Sequence, residues 1–327
     1  MATIKDIARK TGLSINTVSR AIRKSGYVSA KAAELVEKAV RELDYHPNQA
    51  ARNLRLKSTR EIAVIALSCD YLHIEKVVGI RDYALEHGYQ TTVHFAKDSE
   101  DAINDILPEI LKLDPAGVIF IASNETLNSK IRQLRDKLPC VIASMFPTEG
   151  SDCVCVDRFA GVYNAVQYLH RCGRRRILFI ETAGAKQRRE GYLQAVKDLG
   201  LPELIMQATS MDLETIRTSG IAAARKIAGM TDMPDAIQTS DYLACGMLPE
   251  FIRLGIRVPE EIAVIGFDDR EIAAMTTPPL TTIAHPGEEV GAACAKMIID
   301  RIESGFCSDA MPECVKISMK LVIRKST

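Results

Sequence analysis

The residues best suited to chemistry lie close together. Ser14-Ile15-Asn16-Thr17-Val18-Ser19-Arg20 puts an arginine, an amide, an aliphatic and three short hydroxyls within two helical turns. An arginine bonds both acceptors on a guanine edge, an asparagine bonds adenine in the same two-point way, and an isoleucine meets a thymine methyl. Ile15, Asn16 and Arg20 are therefore candidates for reading bases. Ser14, Thr17 and Ser19 carry hydroxyls that reach phosphates and fix register without reading sequence. A lone arginine is more often a solvated charge; it is the array that points to nucleic acid.

A second group follows in YHPNQAARNLRLKS, where Arg52 and Arg55 flank Leu54. Its eight or nine helix-compatible residues are too few for a helix that stands alone in water. Two readings remain open. In one, a helix orders on DNA, Leu54 wedges between base steps from the minor groove and the two arginines hold phosphates. In the other the segment is a plain linker with an incidental leucine.

The first array needs a helix pair to present it. Thr3 can cap a helix with Ile4, Ile7 and Ala8 on its apolar face, Asp6 completing a capping box and Gly12 stopping it. Ser14 caps a second helix, with Val18, Ala21 and Ile22 inward, and Ser29 a third bearing Ala32, Val36, Ala39, Val40 and Leu43. That is helix-turn-helix spacing, and the second helix of such a unit enters the major groove.

Charge supports the reading once it is divided. The 327 residues hold 42 Lys+Arg and 42 Asp+Glu, a net of zero. Residues 1–60 hold 13 basic and 5 acidic residues, a net of +8, so the rest of the chain carries −8. A basic head on an acidic body is the footprint of nucleic-acid binding joined to another task.

Other classes find no support. The chain contains no G-x-G-x-x-G, G-x-x-x-x-G-K-[ST], G-x-S-x-G or H-E-x-x-H, so no catalytic residue or cofactor is expected. Nine cysteines without a C-x-x-C read as reduced, small buried residues, with no metal site. No apolar run approaches the roughly 18 residues of a membrane helix. The polar start MATIKDIARK lacks a secretory pattern, so a cytoplasmic location is expected.

TIKDIARKTGLSINTVSRAIRKSGYVS, followed by ELDYHPNQAARNLR, resembles the DNA-binding head and hinge helix of the LacI/GalR family of bacterial transcription regulators. VIGFDDREIAAMTTPPLTTIAHP is similar to that family's C-terminal signature, so the likeness runs through the chain. The resemblance implies that Ile15, Asn16 and Arg20 occupy base-reading positions and Leu54 the intercalating one. It also implies a homodimer on a pseudo-palindromic double-stranded DNA operator, controlled by a small-molecule effector, with a sugar or sugar derivative as the expected class.

Beyond Thr59, short β-branched runs alternate with helical patterns, from Ile62–Leu67 to Ile262–Gly266. This is the rhythm of parallel sheets with helices on both faces. The expected architecture is an all-α helix-turn-helix head over 1–46, a hinge helix and linker over 47–59, and an α/β body over 60–327. By the resemblance the body is two Rossmann-like lobes of periplasmic-binding-protein type. The first takes about 60–158 plus about 284–308, the second about 159–283 plus about 309–327.

Ligands of open α/β sheets sit outside the carboxyl ends of the strands. Those loops offer Tyr71, Ser123, Asp157 and Arg158 in the first lobe. In the second, Arg188 matches the family's R-x-x-G-[FY] arginine and Asp241 its N-D aspartate. The alternative for these charges is a salt bridge between lobes. Met145 and Ser210 stand where cleft aromatics are expected, and the chain has no Trp, leaving Tyr71 as the stacking candidate. This favours a hydroxyl-rich or charged metabolite over a purine. Asp268 and Asp269 read as structural. His285, where Gln is common, reads as a polar replacement that could instead titrate. A ligand-binding protein or sugar-processing enzyme with a basic extension remains the rival.

Overall fold

The computed structural model describes residues 2–23, 26–45, 59–97, 99–121, 131, 134–182, 184–208, 215–308 and 310–327. Its contacts divide the chain into two compact units, Met1–Thr59 and Arg60–Thr327. The expected hinge helix falls outside the described residues, and with it Arg52, Leu54 and Arg55.

The first unit is built from α1 (Ile4–Thr11), α2 (Ile15–Arg23) and α3 (Ala30–Glu42). Local chemistry fixes each start. The Asp6 carboxylate accepts the Thr3 N–H at 2.9 Å and the Thr3 hydroxyl at 2.7 Å. Ser14 accepts the Thr17 N–H at 3.1 Å, and Ser29 that of Ala32 at 3.4 Å. Gly12, at φ 69°, supplies the left-handed residue that ends α1. Ile7, Val18, Val36 and Ala39 meet in a core of four fully buried side chains. Ile4, Ala8, Ala21, Ile22, Val40 and Leu43 close around it.

The second unit opens with β1 (Glu61–Ala66), α4 (Tyr71–Glu86), β2 (Gln90–Phe95), α5 (Glu100–Lys112), β3 (Gly117–Ile121), β4 (Cys140–Ser144) and β5 (Asp152–Val156). A second run follows with α6 (Arg158–Arg171), β6 (Ile177–Glu181), α7 (Lys186–Leu199), β7 (Leu204–Gln207), α8 (Ile216–Ala228), β8 (Ala236–Gln238), α9 (Asp241–Arg253), β9 (Ala263–Asp268), α10 (Glu271–Met275) and β10 (Thr281–Ala284). The chain ends in α11 (Gly287–Glu303), β11 (Cys314–Ile317) and β12 (Lys320–Val322).

Among the described residues two six-stranded sheets result. The first runs β11-β5-β4-β3-β1-β2, all parallel. The second runs β12-β10-β9-β8-β6-β7, parallel except for β12. Both faces of a parallel sheet are covered, and β1 shows why its sequence is apolar throughout. Ile62, Val64 and Ala66 enter one core while Ala63, Ile65 and Leu67 enter another on the opposite face.

The chain passes between lobes at three places: after β5, after β10 and after β11. The last differs from the sequence expectation. A boundary at about 308 assigns Cys314–Ile317 to the second lobe, whereas this strand pairs with β5 of the first. Asp152 explains the placement: it takes a two-point grip from Arg301 of α11, both bonds 2.9 Å, and accepts the Glu313 N–H at 2.8 Å. A four-residue edge strand of alternating exposure gives no continuous apolar run to read.

Helices α4 and α11 cross at backbone contact. A Cβ on Gly79 would lie 2.1 Å from the Glu288 carbonyl oxygen, and one on Gly291 2.1 Å from that of Lys76. Only glycine permits this approach.

Candidate nucleic-acid interface and ligand cleft

On α2, Val18 points into the head core, so the helical period turns Asn16 and Arg20 outward, four residues apart on the opposite side. Both are exposed, and Ile15 beside them is 42% exposed. An exposed isoleucine at the first turn costs hydration and contributes nothing to the core, which fits a contact surface. Ser14 is committed locally: besides capping α2, its hydroxyl lies 2.9 Å from that of Thr17. Thr17 and Ser19 are half-buried at the edge of this surface.

In the body, the polar groups gather at the carboxyl ends of the strands. Asp157 caps α6, accepting the Ala160 N–H at 2.9 Å, so its side chain is turned to its own helix. Arg158, the next residue, is 9% exposed, and its Nε has no hydrogen-bond partner among the described residues. Arg188, 8% exposed, donates to the Thr182 hydroxyl at 2.7 Å and lies over the Phe267 ring at 4.8 Å. The rest of its motif holds it in place. Gly191 admits the Phe159 carbonyl, 2.3 Å from where a Cβ would stand, and the Tyr192 hydroxyl accepts the Leu204 N–H at 2.7 Å.

Burial lowers the affinity of both guanidiniums for their proton, bringing Arg188 down to about 10. Asp268 opposes this in both, and Arg158 adds to the shift at Arg188. The two arginines therefore share the electrostatic influence of Asp268, whose chain neighbour Phe267 lies under Arg188. Lys76 of α4 joins them: burial and then Arg158 depress its ammonium. Lys76 and Asp268 are the members that sequence reasoning did not select. In the sequence Lys76 is one residue of an ordinary helical pattern, and Asp268 stands in a D-D after a strand, a position that reads as structural.

Asp268 is held in an uncommon backbone state, φ 96°. Its carbonyl accepts the His285 N–H at 3.4 Å, while its buried Oδ1 has no partner among the described residues. Such strain concentrates at working sites. His285 is 7% exposed; burial, then Lys76, Arg158 and Arg270, hold its imidazole down to about 2. It is neutral near pH 7 and does not titrate there.

Asp241 departs from the contact role expected for it. It is 1% exposed, and both its oxygens are engaged inside the second lobe, one with the Thr282 hydroxyl at 2.6 Å and one with the Arg270 N–H at 2.7 Å. Burial raises its carboxyl to about 7 against these two bonds. Tyr71, 41% exposed, gives its hydroxyl to Glu75, whose hydrogen bond raises the phenol to about 12. Ser123 lies outside the described residues. At the carboxyl ends of β6 and β7 a groove of about 620 Å³ has Glu181, Glu190, Lys186 and Arg189 in its lining, charges that balance.

Comparison with known proteins follows the same division. Residues 3–48 match the bacterial regulatory proteins of the lacI family, and residues 166–327 match a periplasmic binding protein-like domain. The HTH-type transcriptional repressor PurR of Vibrio vulnificus (strain CMCP6) is 31% identical over 93% of this chain and 92% of its own. The chain belongs to the LacI family. The ribose operon repressor of Escherichia coli (strain K12) is 33% identical over 92% of this chain and 93% of its own. A Lac repressor dimer bound to operator and the anti-inducer ONPF shares the fold, with TM-score 0.77 at 22% identity over 99% of this chain and 98% of that one. As a LacI-family member the chain is a DNA-binding transcriptional regulator with a helix-turn-helix head and a two-lobed α/β body. Among the described residues no helix is long and apolar enough to cross a membrane.

Proposed function

We propose that the chain is a homodimeric bacterial repressor acting in the cytoplasm by binding rather than turnover, with operator affinity set by a small metabolite between the two lobes. The exposed pair Asn16 and Arg20, backed onto a core by Val18, carries the DNA half of this reading. Ile15, Asn16 and Arg20 read base edges from the major groove. Ser14, Thr17 and Ser19, with Arg52 and Arg55, hold phosphates, and Leu54 is the minor-groove wedge. Two heads related by a dimer axis require a pseudo-palindromic site.

For the effector half, Arg158, Arg188, Tyr71 and Ser123 supply contacts, now joined by Lys76 and Asp268. Asp157 and Asp241 act behind them by fixing a helix start and a loop. A ligand that binds one relative angle of the lobes better than another shifts operator affinity, and operator shifts ligand affinity by the same factor.

A gel-shift titration of Arg20→Ala tests the head. Affinity for the preferred site falls by roughly 10- to 100-fold, with relaxed base preference at one position of each half-site. Unchanged affinity and preference would show that α2 does not read the site. Leu54→Ala tests the wedge: specific binding weakens while weak nonspecific binding is spared.

A further inference from the structure

Two cations of the described cleft, the buried Arg158 and the half-buried Lys76, stand without a paired carboxylate. Lys76 and Arg158 form no ion pair with a carboxylate among the described residues, and the Arg158 Nε is an orphan donor. Asp268 is the carboxylate that bears on Lys76, Arg158 and Arg188 together. Three others lie within reach but are engaged elsewhere, the first being Glu75, which bears on Lys76 and accepts the Tyr71 hydroxyl. Asp70 caps α4 and sits 3.0 Å from His73 Nδ1, and Glu181 accepts from Gln207 at 2.5 Å and faces Arg189 at 3.7 Å. His285 adds no charge and leaves Nδ1 without a partner. Buried cations without counter-charge are costly, and a fold retains them where something else supplies the anion.

The same strand ends carry orphan acceptors. Asp268 Oδ1 at the end of β9 and Thr239 Oγ1 after β8 are buried without partners among the described residues. Both accept from hydroxyl groups, and the threonine also donates.

We propose that the effector is a polyhydroxylated metabolite bearing a phosphate or carboxylate, its anionic group clasped by Lys76, Arg158 and Arg188 and its hydroxyls received by Asp268 and Thr239. This rests on the interlobe cleft being the effector site, and narrows that site from sugars in general to sugar phosphates and sugar acids. Guanidinium forks suit either oxyanion.

The test is a thermal-shift series on the full-length protein at constant ionic strength. The probes are glucose 6-phosphate, ribose 5-phosphate and gluconate beside glucose and ribose, with inorganic phosphate as the smallest anion. The anions raise the melting temperature, by roughly 2 °C or more for inorganic phosphate at about 10 mM, and the uncharged sugars do not. Arg158→Met and Lys76→Met each abolish that rise without lowering the melting temperature of the unliganded protein, since each removes a charge that no ion pair holds. Gluconate against the sugar phosphates separates carboxylate from phosphate. Failure of every anion to stabilise, stabilisation by an uncharged sugar equal to that of its charged counterpart, or anion stabilisation that survives both substitutions would overturn the anionic class. The cleft itself fails as effector site in a different way: a stabilising compound would keep its effect in Arg188→Met as well and leave operator affinity unchanged.

Discussion

Thr282 and Asp241 meet at 2.6 Å, the threonine hydroxyl donating to a carboxylate that is almost wholly buried. The same hydroxyl accepts the Asp269 N–H at 3.3 Å, and the second Asp241 oxygen takes the Arg270 N–H at 2.7 Å. This pair joins the start of α9 to β10 and to the turn that follows Asp268, the last residue of β9.

Thr282→Val preserves shape and removes the donor. The Asp241 carboxylate is then left with one bond, and the fold loses about 1–3 kcal/mol, read as a lower midpoint in urea denaturation. In an Asp241→Asn background the same change costs less, because no buried carboxylate is left under-bonded.

The pH dependence of stability carries the signature of Asp241. Its carboxyl titrates near 3.8 when unfolded and is raised to about 7 by burial in the fold. The folded state therefore binds the proton more tightly, so this group's contribution is full below about 4, declines as pH rises towards 7 and is flat above it. Denaturation midpoints at about pH 5 and about pH 8 fall closer together in Asp241→Asn than in the wild type; equal differences would show that Asp241 is not held neutral.

Gly291→Ala tests the link between helix packing and the cleft. The added Cβ meets the Lys76 carbonyl oxygen at 2.1 Å, so α4 and α11 must part and carry Lys76 with them. A loss of about 1–3 kcal/mol follows, with a weaker anion response. Gly220→Ala is the control: its Cβ meets the Leu243 carbonyl at 2.4 Å in the α8–α9 pair, so stability falls but the anion response does not.

Much of the head was legible because its signals are local. Thr3, Ser14 and Ser29 sit where their helices begin, and the apolar faces read at helical period meet in the core. The buried strands β1, β3 and β9 were visible as apolar runs for the same reason. β11 was not, since what makes it a strand is its pairing to β5. The site follows that rule. Arg158 and Arg188 could be picked from loop positions and a motif, but Lys76 belongs with them only because α4 is drawn against α11 through Gly79 and Gly291. The motif around Asp241 points outward, whereas its inward bond depends on Thr282, forty-one residues away.

The most direct measurement is selection of binding sites from a random pool of duplex DNA by the full-length protein, alongside Arg20→Ala. The account predicts enrichment of a pseudo-palindrome with two half-sites about one helical turn apart, affinity that falls steeply with salt, and loss of preference at one guanine per half-site in the variant. A wild-type protein that enriches no sequence, or one whose enriched site is unaltered by Arg20→Ala, would contradict it.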